Sequence, residues 1–138
     1  MAQQILSFRE LRVYKSAVEL QQAIFQTSKI WSREEKYSLT DQVRRSSRSV
    51  GANIAESWAK RNYPSHFVSK LTDADGELQE TSHWLLTALA CKYITDEEHS
   101  KFQIRIEEIG KMLGKMMSMP GKFTPGQRTE VGSQRSEV

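Results

Sequence analysis

The 138-residue chain has one cysteine, three prolines and seven glycines. A single cysteine cannot close an internal disulfide, so the fold must hold without one, as expected in a reducing cytoplasm. The longest nearly apolar run, Trp84 to Cys91, is far short of the roughly 20 residues that cross a bilayer. Residues Met1–Phe8 lack the basic start and apolar stretch of a signal peptide. The expectation is therefore a cytoplasmic protein, neither secreted nor embedded in a membrane. No segment sustains the period-2 alternation of a half-buried strand. The glycines are scattered and form no G-x-x-x-x-G-K-[ST] phosphate loop. Proline is absent from residues 1–63 and 65–119, which leaves two long stretches open to helix.

The chain is 38% hydrophobic and 27% charged with a formal charge of +3, a composition that suits one domain with a modest core. Apolar residues recur at helical spacing four times. Ser7-Phe8-Arg9-Glu10 reads as a capping box opening a helix with Val13, Ala17, Leu20, Ile24 and Trp31 on one face. Ser38 to Asp41 reads as a second start, followed by Leu39, Val43, Ser46, Val50, Ile54 and Ser57. Pro64 opens a third helix lined by Phe67, Leu71, Ala74, Leu78, Ser82, Leu85 and Leu89. Thr95 to Glu98 is another capping box, ahead of Phe102, Ile106, Ile109, Leu113 and Met116, and Pro120-Gly121 stops that helix. The links, about residues 32–37, 61–64 and 93–95, are short, so successive helices run antiparallel. The predicted fold is all-α, an up-down-up-down four-helix bundle over residues 1–120. Residues 121–138 are polar and read as a flexible, disordered tail.

The first helix has a second apolar stripe, Leu11, Tyr14, Val18 and Phe25, about 100° around from the first. A monomer's surface helix normally carries one stripe. The second points to a homo-oligomer interface; the alternative is a helix sunk deeper in an asymmetric monomer.

Catalytic and metal constellations are poorly represented. A di-iron bundle needs Glu-x-x-His on two helices, and Glu80-Thr81-Ser82-His83 is the single instance. Cys91 follows Ala88, Leu89 and Ala90 and reads as a partly buried, inert thiol. His66, His83 and His99 have no local partner pattern. We expect neither enzyme activity, metal nor cofactor.

Charge is unevenly placed. Residues 1–61 carry 11 Lys+Arg and 6 Asp+Glu, a net of +5, while residues 62–118 carry 6 and 9, a net of −3. Arg44, Arg45 and Arg48 cluster on the second helix, with Lys60 and Arg61 at its end. With Val43, Val50 and Ile54 facing the core, Arg44 and Arg48 project to solvent and Arg45 to the flank. Guanidinium forks match phosphate oxygens, so Arg44, Arg48, Lys60 and Arg61 are the candidate nucleic-acid contacts. The competing reading is a solvated face, or partners for Glu80 and Asp73. An Arg45–Glu80 pair, within or between chains, would tie the basic second helix to the acidic third. Asn53 lies at the seam's edge, where a polar group fixes register.

The stretch from Tyr37 to Glu56, with Gln42, Arg45, Ser49, Asn53 and Glu56, resembles the signature of the 23S rRNA intervening-sequence protein family. Leu11 to Ala17 and Ala74 to Thr81, with Gly76 and Glu80, extend the likeness over about residues 8–118. The resemblance implies a bacterial four-helix bundle assembling as a homopentamer, with no catalytic residues and nucleic-acid association as its usual proposed role. Similar bundles accompany the reverse transcriptases of retroelements, which implies a second reading, a protein-interaction scaffold or accessory subunit of an RNA-processing enzyme. Gly51 and Ser57 depart from the common pattern, which has proline and glycine there.

Overall fold

The computed structural model describes residues 4–124. Its four long helices are α1 (Arg12–Ser28), α2 (Asp41–Ala59), α3 (Pro64–Ala90) and α4 (Asp96–Ser118). The main contacts run α1–α2, α2–α3 and α3–α4 and close through α1–α4, with α2 on α3 the most extensive. This is a cyclic four-helix bundle, and its short links set successive helices antiparallel. Among the described residues no helix is long and apolar enough to cross a membrane.

The sequence signals hold at two of the helix starts and shift at the others. Thr95 Oγ1 accepts from Glu98 N (3.1 Å) while the Glu98 carboxylate accepts from Thr95 N (2.9 Å), closing the capping box of α4. Pro64 occupies the first turn of α3, where its missing N–H costs nothing. The Ser7 capping box also forms, but it caps one 3-10 turn, Phe8–Glu10. The chain then extends at Leu11 (φ −67°, ψ 130°), and α1 begins only at Arg12. That extended residue turns Leu11 fully into the core, at 0% exposure.

The expected start at Ser38 is replaced by continuous helical backbone. A 3-10 turn, Arg33–Glu35, and a π-type turn, Lys36–Thr40, run directly into α2. The preceding turns occupy the first N–H groups of α2, so no side chain caps it. At the far end of α3 the chain closes in a Schellman arrangement, with Tyr93 N bonded to Ala88 O (2.9 Å) and Lys92 N to Leu89 O (3.0 Å). Lys92 takes the left-handed conformation there, φ 64°.

The expected faces of α1, α2 and α4 are buried throughout. On α3 the buried set is Phe67, Leu71, Ala74, Leu78, Thr81, Leu85 and Ala88, so Thr81 and Ala88 take the places expected for Ser82 and Leu89. Steps of four and three alternate along this list, the 3.5-residue period of a supercoiled seam. Thr81 is accommodated because its hydroxyl meets Ser46 Oγ of α2 at 2.9 Å and donates to Glu77 O at 2.8 Å. Buried polar atoms are tolerated when paired in this way.

The bundle extends further than expected at its C-terminal end. Pro120–Phe123 form a 3-10 turn after α4. Phe123 is 2% exposed and stacks on Phe67 of α3, with ring centroids 5.5 Å apart. Thr124 Oγ1 donates to Arg61 O at 3.3 Å. Residues 121–124 therefore belong to the fold, contrary to the expected boundary at 120, because one aromatic ring is enough to anchor the turn. The rest of the expected tail lies outside the described residues.

Candidate nucleic-acid interface

The three clustered arginines of α2 have different surroundings. Arg45 makes a fork onto Glu77, Nη1 to Oε2 at 2.8 Å and Nη2 to Oε1 at 3.3 Å, and its Nη2 also reaches Glu80 Oε2 at 2.5 Å. The expected Arg45–Glu80 pair is therefore intrachain, and Glu77 joins it. The Trp84 indole N–H donates to the same Glu80 oxygen at 3.1 Å. That bond and the Arg45 guanidinium hold the Glu80 carboxyl below its ordinary range, and the two carboxylates push Arg45 upward. Arg45 is spent on joining α2 to α3.

Arg44 and Arg48, one turn apart, have no carboxylate within ion-pair distance among the described residues. The Arg44 guanidinium lies 4.8 Å from the centre of the Phe25 ring of α1, and that of Arg48 lies 5.6 Å from it. The Lys29 ammonium sits 4.9 Å from the same ring. Arg44 Nε donates to Ser28 Oγ at 2.9 Å, so this side chain folds onto α1 and is half-buried instead of projecting to solvent as expected. Arg48 is exposed. Three cations thus share one aromatic ring, whose negative face offsets part of their mutual repulsion. An open depression of about 500 Å³ runs past Arg44, Arg45 and Arg48 to Ser49 and Ala52.

Lys60 and Arg61 are separate from this group. They lie 16 residues beyond Arg44, roughly 24 Å along the helix axis. The Arg61 guanidinium stacks 4.2 Å from the Trp58 ring and donates to Trp58 O at 2.8 Å. Lys60 is exposed. The four candidate contacts form two patches at opposite ends of α2.

The second stripe of α1 is largely used inside the chain. Leu11 is fully buried and so withdraws from the expected interface. Tyr14 packs edge-on against Phe8, with centroids 4.9 Å apart, and lies 3.5 Å from where a Cβ on Gly51 would sit. Phe25 carries the three cations. Val18 remains half-buried with none of these contacts. Sequence reading missed the Phe25 platform, whose local trace is the spacing of four between Phe25 and Lys29 at the end of α1.

The remaining motif residues make local hydrogen bonds or an ion pair between helices, and one faces open space. Gln42 Nε2 donates to Tyr37 O (3.4 Å), and Asn53 Nδ2 donates to Ser49 O (2.9 Å) within α2. Glu56 pairs with Lys70 of α3 at 2.7 Å, which lowers the carboxyl and raises the amine. Gly76 faces open space, with nothing within 4 Å of where a Cβ would stand. Cys91 is exposed, a correction to the expected half-buried thiol, because α3 ends one residue earlier and leaves it in the turn. His83 is exposed against Trp84. Among the described residues no three His, Cys, Asp or Glu side chains gather as metal ligands.

The sequence of this bundle places it among known proteins. The family model for 23S rRNA-intervening sequence proteins matches residues 9–115, nearly the whole bundle. The chain belongs to that family. Among solved structures, it is similar to a protein of unknown function from the S23 ribosomal protein family of Bacteroides thetaiotaomicron VPI-5482. The two share 29% identity and superpose with a TM-score of 0.68, over 77% of this chain and 95% of the other. No curated protein matches. For this 23S rRNA-intervening sequence protein, the family match covers Arg44, Arg45 and Arg48 together with the Phe25 ring beneath two of them.

Proposed function

We propose that this protein is a non-enzymatic, self-associating bundle that binds RNA or DNA through backbone phosphates at Arg44 and Arg48. The observation that carries the reading is the Phe25 platform. Lys29, Arg44 and Arg48 crowd one ring, and none has a carboxylate partner among the described residues. Neighbouring Arg45 is neutralised twice over. Like charges held together without an ion-pair partner favour an incoming anion, and guanidinium groups pre-set by stacking lose little freedom on binding phosphate. Lys60 and Arg61 form a second, separate contact. The family's description as a 23S rRNA-intervening sequence protein is consistent with an RNA ligand.

The test is filter binding of unrelated RNA and DNA sequences to wild type and to Arg44→Glu/Arg48→Glu. The double variant should weaken every sequence alike, because phosphate contacts carry no base information. Unchanged binding would remove these arginines from the site.

A second reading, a scaffold or accessory subunit for a reverse transcriptase or another RNA-processing enzyme, draws on exposed apolar side chains. Ile30 is 88% exposed, Ile104 57% and Leu86 52%. Protein partners that survive nuclease treatment in a pull-down would favour it. Self-association, as a pentameric ring by family resemblance, predicts a solution mass several times 15.9 kDa. Val18→Glu should lower that mass.

A further inference from the structure

Where α1 ends and α2 begins, the surface forms an open cleft of about 420 Å³ that backbone contacts at Arg48 leave unused. Lys29, Arg33, Lys36 and Arg44 line it, against a single carboxylate, Asp41. None of the four cations has an ion pair among the described residues. Glu35, on the turn between Arg33 and Lys36, is engaged elsewhere and accepts from the Tyr93 hydroxyl at 3.1 Å. Arg44 is already fixed by Ser28 and the Phe25 ring, with its Nε spent and its two terminal amino groups left as donors. Trp31 forms part of the wall, 8% exposed, and its indole N–H has no hydrogen-bond partner among the described residues.

Arg44 and Asp41 border both this cleft and the open depression that runs along α2 past Arg48. The cleft therefore sits at one end of a basic track. Building on the phosphate-binding reading above, the geometry points to this corner as a site for the terminal phosphate of a nucleic-acid strand. The rest of the strand runs along α2 past Arg48. The charge argument selects the terminus. A phosphate monoester carries about −1.5 to −2 near neutral pH, whereas each internal phosphate carries one negative charge. Four cations facing one carboxylate favour the more highly charged group.

The test is fluorescence anisotropy on the full chain with three otherwise identical oligonucleotides of about ten nucleotides. One carries a 5′-phosphate, one a 3′-phosphate and one hydroxyls at both ends. One phosphorylated probe should bind about tenfold more tightly than the hydroxyl-ended probe, as one added charge-assisted contact allows, and its position identifies which end the corner takes. Arg33→Ala/Lys36→Ala should bring that ratio to about one. Both substituted residues are exposed, and far-UV circular dichroism checks that the variant is folded. Arg48→Ala should weaken all three probes and leave the ratio intact. Equal affinity of wild type for all three probes overturns the terminal site while leaving backbone binding in place. A ratio that survives in Arg33→Ala/Lys36→Ala also overturns it. Absence of binding by every probe overturns this site together with the reading beneath it.

Discussion

Phe123→Ala tests how far the fold extends. The ring is 2% exposed and stacked on Phe67 at 5.5 Å with an interplanar angle of 27°. Burying a phenylalanine contributes about 1.5–3 kcal/mol, and an aromatic pair adds about 0.5–1.5 kcal/mol beyond area. Core Phe→Ala changes cost about 3–5 kcal/mol when the cavity stays open. Here the ring belongs to one short turn after Pro120, which can peel away and let the gap close. The expected loss is therefore at the low end, about 3 kcal/mol. For a bundle of this size that lowers Tm by roughly 12 °C. Urea unfolding followed at 222 nm reads the free energy, and a thermal scan reads the shift. A chain ending at Met119 should lose a similar amount, since it removes the same ring. A loss below about 1 kcal/mol in both would show that the turn does not contribute to the bundle.

Three further changes address local features. Gly51→Ala should stabilise by up to about 1 kcal/mol, because the new Cβ would meet Tyr14 Cε1 at an ordinary 3.5 Å; a lower urea midpoint would contradict this. Lys92→Gly should raise stability by about 1 kcal/mol, since the Schellman position at φ 64° suits glycine; no gain in Tm would count against the strain. Glu80, held below its ordinary 4.5 by Trp84 and Arg45, stabilises the fold above that value and loses its contribution as pH falls through its lowered one. Glu80→Gln should flatten the acid limb of the urea midpoint below about pH 4.5, by at most about 1 kcal/mol given the exposed pair. An unchanged acid limb would place the pH dependence elsewhere.

The bundle was legible because its signals are local. Apolar spacing gave the buried faces of α1, α2 and α4, and Pro64 and the Thr95 capping box set two starts. The departures come from competition between local and tertiary demands. Burial of Leu11 overrides the capping box at Ser7, so a capped turn and a helix start became separate events. A strict 3.5-residue seam chose Thr81 over Ser82, and the Ser46 hydroxyl made that choice tolerable. Phe123 could not be read because its partner, Phe67, lies 56 positions earlier in the chain. The same limit applies to the candidate site. Projection placed Arg45 against Glu80, yet it could not show Arg44 folding over Phe25 and Ser28 of another helix. An apolar ring expected to meet a second subunit turned out to carry cations.

The central claim is that Arg44 and Arg48 bind phosphates, and the salt dependence of affinity tests it most directly. Each phosphate contact to a single strand contributes about −0.7 to the slope of log K against log salt. Wild type and Arg44→Ala/Arg48→Ala should be titrated with the same single-stranded RNA across a range of salt concentrations. The account predicts a steep wild-type slope that becomes shallower by about 1.4 in the double variant. Parallel slopes with equal affinities would contradict it.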